Sequence, residues 1–316
     1  MAITIGMDVG GTNLRVGVFD ALTLLEETRF LADFSGICGQ NPPQIAWQKI
    51  LDCLAASINA VRNRYPEAQT IGIGFPGFID PQTGNIAQSP NFPGLENVNL
   101  AKDLSALLGK KVVVENDANA AAYGEFCLLN QSGYLNQADK KTDGLIYLGL
   151  GTGVGGGLVI AGKPLVGQHG CAMEAGHLIV EPNGRLCGCG NHGCLEQYAS
   201  ASGVAKTYFA ATGQQFTAAN IAALAGQGDV HALEAYDIAA QTLAQALASM
   251  LKVVDVSDVV IGGGMVAAWH LMQTTFFARL NQDLIPVLRG KVRVNISTAQ
   301  DMAGMLGAAI LATGIE

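Results

Sequence analysis

The chain has 316 residues, with 18 Lys and Arg against 26 Asp and Glu and a formal net charge of −8. That acidic balance, with no basic block, is a poor footprint for a phosphate backbone, so nucleic acid is not an expected partner. The N-terminus shows no basic leader or cleavage-like site and no apolar run reaches membrane-spanning length. The expectation is therefore a cytoplasmic protein without a membrane partner, long enough for two domains.

In chain order, strands are expected at Ile3 to Met7, Leu14 to Phe19 and Leu24 to Phe30, with a tight turn, Asp8-Val9-Gly10-Gly11-Thr12-Asn13, between the first two. A helix follows from about Pro43 to Tyr65, then a strand at Thr70 to Phe75 that leads into Pro76-Gly77. The β-branched run Val112 to Glu115 reads as a strand that passes through Asn116 and Asp117 into an alanine-rich helix. Open α/β sheets bind ligands at the carboxyl ends of their strands, so Asp117 has two readings, general base or helix N-cap.

A second glycine cluster, Gly149 to Gly157, lies between strands at Leu145 to Leu148 and Leu158 to Ile160. It looks like the first hairpin used again. Within Asp229 to Val254 the residues Leu233, Tyr236, Ala240, Leu243, Leu247, Met250 and Val254 recur at three-or-four spacing, which predicts a helix packed into a core. A third cluster, Gly262-Gly263-Gly264, closes a strand at Val256 to Ile261 and precedes a helix from about Val266. Glycine and threonine in such turns let backbone N–H groups and a hydroxyl approach phosphate oxygens without a Cβ in the way. Neither a Walker lysine pattern nor a Rossmann fingerprint is present, because the glycines after Asp8 lead into a strand. The matched pair and the third cluster point to the phosphates of a nucleotide, with the charge left to a metal.

Between Glu174 and Glu196 the segment EAGHLIVEPNGRLCGCGNHGCLE places His177 ten residues before Cys187, followed by Cys189 and Cys194. One histidine and three thiols close a tetrahedral Zn²⁺ set without water, which marks a structural metal rather than a catalytic one. His192 competes as the nitrogen ligand, but it sits inside the tight loop, so His177 is preferred. Cys38, Cys53, Cys127 and Cys171 are scattered among apolar or small neighbours and read as core thiols.

The segments DVGGTN, ENDANAAAYGE, LGLGTGVGGG, EAGH and CGCGNHGCLE, in this order over nearly the whole chain, resemble the ROK family of bacterial sugar kinases, most closely its glucokinases. The resemblance implies an α/β protein of the actin-like ATPase (ribonuclease-H-like) fold, with two lobes and an inter-domain cleft. It implies an N-terminal lobe of residues 1–117 plus 303–316 and a C-terminal lobe of 118–302, with a hinge near Ala118 and the last helix, about Ala303 to Thr313, returning to the first lobe. The implied reaction moves the γ-phosphoryl of ATP, with Mg²⁺, to the 6-hydroxyl of glucose. N-acetylglucosamine or N-acetylmannosamine is the alternative acceptor, and a homodimer or higher homo-oligomer is the implied assembly.

By the same resemblance Asp117 is the catalytic base, and Gly77, Asn91, Asn116, Glu174, His177 and Glu196 line the sugar site, with His177 serving both zinc and sugar. Asp8, Gly10, Gly11, Thr12, Asn13, Gly151, Thr152, Gly153, Gly262, Gly263 and Gly264 correspond to ATP contacts. Met173 departs from the family pattern, which has a small residue before the glutamate. A sugar-responsive repressor, which part of the family becomes behind an added DNA-binding domain, is disfavoured by the acidic charge and by a first strand that begins at Ala2.

Overall fold

A computed structural model describes residues 3–10, 13–89, 92–131, 142–299 and 302–314. Gly11, Thr12 and Asn91, three of the expected ligand contacts, lie outside the described residues. Contacts divide the chain into two units, one of Met1–Asp143, Gly157–Ala172 and Asp301–Glu316, the other of Gly144–Gly156 and Met173–Gln300.

The first unit begins with β1 (Ile3–Val9), β2 (Asn13–Asp20), β3 (Thr23–Leu31), α1 (Phe34–Gln40) and α2 (Pro43–Arg62). It continues with β4 (Thr70–Phe75), the short pair β5 (Phe78–Ile79) and β6 (Ile86–Gln88), α3 (Leu100–Leu108), β7 (Lys111–Asn116) and α4 (Asp117–Leu129). The main sheet has the order β3-β2-β1-β4-β7, antiparallel among the first three strands and parallel from β1 to β7. One face packs on α2 and α3 through fully buried Ile5, Met7, Ile50, Leu54, Ile71 and Leu104.

The chain then forms β8 (Gly144–Leu150), β9 (Val154–Ile160) and β10 (Lys163–Pro164), followed by α5 (Glu196–Ala199), α6 (Ala201–Thr212), α7 (Ala218–Gly226) and α8 (Val230–Val254). After these come β11 (Asp258–Gly262), α9 (Trp269–Asp283), β12 (Arg293–Ile296) and α10 (Met302–Thr313). The second sheet has the order β10-β9-β8-β11-β12, with β8, β11 and β12 parallel. Position by position this repeats the first sheet: third, second, first, fourth and fifth strand of each set. Two such α/β sheets are the arrangement of the actin-like ATPase fold.

Helix α10 belongs to the first unit, where it crosses β1 and β4 at glycines. A Cβ on Gly6 would overlap the backbone of Met305, and one on Gly72 the backbone of Ala308. Its other side meets α4, where Gly124 lies against Ala303 and Gly307 against Ala120. These backbone-to-backbone contacts group α4 with the first unit, so the division between units falls after Asp143 rather than near Ala118. The boundary also runs through β9, because Gly157 packs on Ala118 and Ala122 of α4.

Other differences from expectation are local. The stretch Val154 to Gly157, read from sequence as part of the turn, is the first half of β9; glycine there admits close neighbours rather than a bend. In α8 the residues Tyr236, Ala240, Leu243, Leu247 and Met250 are buried, but Leu233 is 39% exposed and Val254 half-buried, because each lies within a turn of a helix end. Cys171 is exposed, beside the sharp bend at Gly170, whereas Cys38, Cys53 and Cys127 are half-buried with thiol pKa values pushed up by burial, that of Cys127 to about 12.

Candidate active site

Parallel register brings three strand ends level in the first unit: Asp8 of β1 pairs with Gly74 of β4, and Gly74 with Glu115 of β7. Asp117 follows as the first residue of α4, with its Cα 3.5 Å from where a Gly74 Cβ would sit. The cap of α4 is Asn116, whose Oδ1 accepts from the N–H groups of Ala118 at 3.0 Å and Asn119 at 3.1 Å. The same side chain donates from Nδ2 to the carbonyl of Gly77 at 3.2 Å. Two orphan N–H groups of the helix are therefore satisfied by the residue before Asp117.

The Asp117 carboxylate itself accepts locally, from the N–H of Ala118 to Oδ1 at 2.9 Å. Burial pushes its pKa up, only partly offset by the backbone hydrogen bond. A carboxylate that holds its proton more tightly than usual is a better base, which suits a group that must take a proton from a hydroxyl.

Glu115, not singled out as a functional residue by sequence, also has a raised pKa, from burial first, while its Oε1 accepts from Asn116 N at 2.8 Å and from Asn119 Nδ2 at 3.2 Å. Glu115 and Asn116 together fix the backbone on either side of the Asp117 Cα. Gly77 is held by the Asn116 bond, and the neighbouring Pro76 carbonyl accepts from the hydroxyl of Ser89.

The first glycine turn is closed by a bond from Gly10 N to the carbonyl of Asn13 at 2.9 Å. Across it, Asp8 of β1 faces Arg15 of β2 in register, with a guanidinium nitrogen 3.9 Å from the carboxylate. Arg15 is a cation that only the hairpin register reveals, since it lies seven positions after Asp8 in the chain.

In the second unit the matching turn is closed by Gly151 N to the carbonyl of Gly153 at 3.0 Å. It is tied to the start of α6 by Ala201 N to Gly151 O at 2.9 Å and by Ser202 Oγ to Thr152 O at 2.8 Å. Of the third cluster, Gly262 ends β11 and Gly263, at φ +85°, turns the chain into a short 3₁₀ segment, Gly264–Ala268, before α9. That left-handed angle is one that glycine adopts without steric cost.

His177 ends a single 3₁₀ turn, Ala175–His177, that begins after Glu174. Its Nδ1 lies 3.6 Å from Cys187 Sγ, and Cys189 Sγ lies 3.6 Å from Cys194 Sγ. The ligand atoms of His177, Cys187, Cys189 and Cys194 all lie within 4.8 Å of one another, and His192 is not in the group. Zinc bonds of about 2.3 Å to sulfur and 2.0–2.1 Å to nitrogen, arranged tetrahedrally, separate neighbouring ligands by about 3.6–3.8 Å. The donor set therefore fits one Zn²⁺.

With Nδ1 turned to the thiols, His177 Nε2 is directed to Glu174, 3.9 Å from Oε2. Met173, just before, has φ +62°, uncommon for a residue with a side chain. Its carbonyl lies under Gly156 of β9, where a Cβ would collide with it. Glu196, at the start of α5, accepts on Oε2 from the N–H of Val154 at 3.3 Å. The expected sugar-contact residues of this unit thus gather around the zinc loop and its neighbouring glycine turn, and no helix among the described residues is long and apolar enough to cross a membrane.

These features can be set beside known proteins. A glucokinase from Thermotoga maritima is 35% identical over 321 residues, covering 96% of this chain and 95% of its own length. An N-acetyl-D-glucosamine kinase from Salmonella newport is 33% identical over 318 residues, covering 97% of this chain and 98% of its own. The crystal structure of a ROK family glucokinase from Streptomyces griseus in complex with glucose and AMPPNP is 30% identical with a TM-score of 0.80, covering 99% of both chains. The family profile described as ROK family matches residues 4–315, and the chain belongs to that family.

Proposed function

We propose that this chain is an ATP-dependent hexose kinase that transfers the γ-phosphoryl group of ATP to the 6-hydroxyl of glucose. The observation that carries the reading is Asp117: it directly follows a parallel strand as the first residue of α4, it is released from capping by Asn116, and burial raises its pKa. Phosphoryl transfer needs positioning and charge neutralisation more than covalent chemistry, and a positioned carboxylate is the group it takes from a protein to accept the hydroxyl proton. In this reading Asp117 takes that proton as the oxygen attacks phosphorus, and Glu115 and Asn116 hold the carboxylate in line. Gly77, Asn91, Asn116, Glu174, His177 and Glu196 hold ring hydroxyls.

The glycine turns, Gly10 to Asn13 and Gly151 to Gly153, present backbone N–H groups to the β- and γ-phosphates, and Gly262 to Gly264 lie along the nucleoside. Mg²⁺ bound with ATP would offset phosphate charge, and Asp8, with Arg15 beside it, is the carboxylate that would hold it. Zinc on His177, Cys187, Cys189 and Cys194 does no chemistry; it fixes the loop from which Glu174 and Glu196 extend. The family resemblance also implies a cytoplasmic homo-oligomer, a state that light scattering on the eluting protein reads directly.

The glucose assignment leans on the glucokinase similarity, and the N-acetyl-D-glucosamine kinase similarity of nearly equal strength favours the second reading. A coupled assay of ADP release across glucose, mannose, fructose, allose, N-acetylglucosamine and N-acetylmannosamine separates them. Glucose is expected to have the highest kcat/KM. A higher value for an N-acetylhexosamine replaces the first reading with the second, and no release with any sugar overturns both.

A further inference from the structure

The Glu196 carboxylate stands where a side chain at position 153 would be. A Cβ built on Gly153 would overlap Glu196 Oε2 and approach the carboxyl carbon to 3.2 Å. The same oxygen accepts from the N–H of Val154 at 3.3 Å. The turn is fastened to the segment after Glu196 at two more points, Ala201 N to Gly151 O and Ser202 Oγ to Thr152 O. Ser200 caps α6 through Gly203 N at 2.9 Å, and its hydroxyl donates to the carbonyl of Glu196 at 2.6 Å, so the main chain that carries the carboxylate is itself held. By contrast a Cβ on Gly151 meets nothing within 4 Å, although it lies in the same turn.

Resting on the hexose-kinase reading above, we propose that Glu196 is a group shared by two ligands: one carboxylate oxygen holds the phosphate turn through Val154 while the other takes a hexose hydroxyl. Position 153 is glycine to leave room for that carboxylate, and hexose and nucleotide bind cooperatively through it. A hexose that fixes the carboxylate also fixes the Val154 N–H and the turn around it, so the nucleotide no longer has to order them. Linkage makes the effect reciprocal. In this role Gly153 is a positioning residue for the hexose, although it lies in the nucleotide turn.

The test uses the whole enzyme and glucose with no nucleotide present. Gly153→Ala should fold, because the atom that must yield is the far end of a flexible side chain rather than backbone. Titration calorimetry is expected to show its glucose affinity roughly ten- to a hundredfold weaker than wild type, the loss of one charge-assisted hydrogen bond. Gly151→Ala should bind glucose as wild type does.

In the wild type, saturating glucose should tighten binding of the β,γ-imido analogue of ATP by roughly fivefold or more. In Glu196→Gln that factor should fall towards one. Equal glucose affinity in Gly153→Ala and wild type overturns the proposal. So does an unchanged coupling factor in Glu196→Gln, which decides the matter if the alanine variant does not fold. A wild type that binds neither glucose nor N-acetylglucosamine defeats the kinase reading itself, a result distinct from wild-type binding that position 153 leaves untouched.

Discussion

Replacing Asp117 with Asn separates the base from the helix cap, because each role predicts a different pair of changes. The amide keeps an oxygen for the N–H of Ala118, now 2.9 Å from Oδ1, and leaves the Asn116 cap intact. No structural hydrogen bond is lost. What disappears is the ability to take a proton, which costs on the order of 10² to 10⁴ in rate. At about 1.36 kcal/mol per factor of ten, that is about 3–5 kcal/mol of transition-state stabilisation.

Stability should move the other way. Burial raises the folded-state pKa of Asp117 above its ordinary value of 3.8, so the unfolded chain loses this proton first as pH rises. The folded state is then penalised from the ordinary carboxylate pKa upward, and in full above the raised value. Asn carries no such penalty. At neutral pH the variant is expected to melt at or above the wild-type temperature, with the difference shrinking as pH falls below the ordinary carboxylate range. Steady-state kinetics and thermal unfolding on the same preparations make the comparison. Near-normal turnover together with a lower melting temperature would refute the base assignment and return Asp117 to a structural role.

The wild-type kcat/KM should show an acid limb above the usual carboxylate range, since Asp117 of the free enzyme must be ionised to accept a proton and burial raises its pKa; a kcat/KM flat down to the ordinary carboxylate pKa would contradict this. Asn116→Ala should cost about 1–3 kcal/mol in denaturant unfolding, for the lost cap and the lost tie to Gly77. Cys189→Ala should lower bound zinc from about one per chain to none by metal analysis, and stability and glucose affinity should fall together, because the ligand atoms of His177, Cys187, Cys189 and Cys194 lie within 4.8 Å of one another and would share one ion. Gly307→Ala should destabilise by about 1–3 kcal/mol or more, read by unfolding, because its Cβ would press on the backbone of Ala120 and Gly124, which cannot move aside.

Much of this was legible from residue types because the signals are local. Alternation and β-branching place β4 and β7, three-or-four spacing places α8, and the cysteine spacing, with His192 set aside as too tightly placed in the loop, picks out the four residues whose ligand atoms lie within 4.8 Å of one another. What could not be read depends on pairing across the chain. Arg15 meets Asp8 only through the β1–β2 register, and Glu115 acts through Asn116 and Asn119 after the strand has turned into a helix. The choice between base and helix cap for Asp117 needs geometry for a similar reason: Asn and Asp cap about equally well, and only the folded chain shows that Asn116 caps α4. Contacts group α4 with the first unit, past the lobe boundary that the resemblance implies at residue 117, because its glycine and alanine face packs on α10.

The glycines show how one residue type can carry unrelated messages within a motif. Gly263 is required by a left-handed backbone angle, and Gly307 by the approach of another helix. Gly151 has neither constraint: its angle is not left-handed and space around it is open, so a side chain there would meet only the nucleotide proposed for the turn. Gly153 differs from all three, because the atom in its way is a carboxylate assigned to a second ligand. Substitution at 263 or 307 should therefore act on folding, at 151 on the nucleotide alone, and at 153 on the hexose as well. A glycine-rich turn read only as a phosphate cradle would predict the same outcome at 151 and 153. The neighbour of each Cα, rather than membership in the motif, decides which function a glycine serves.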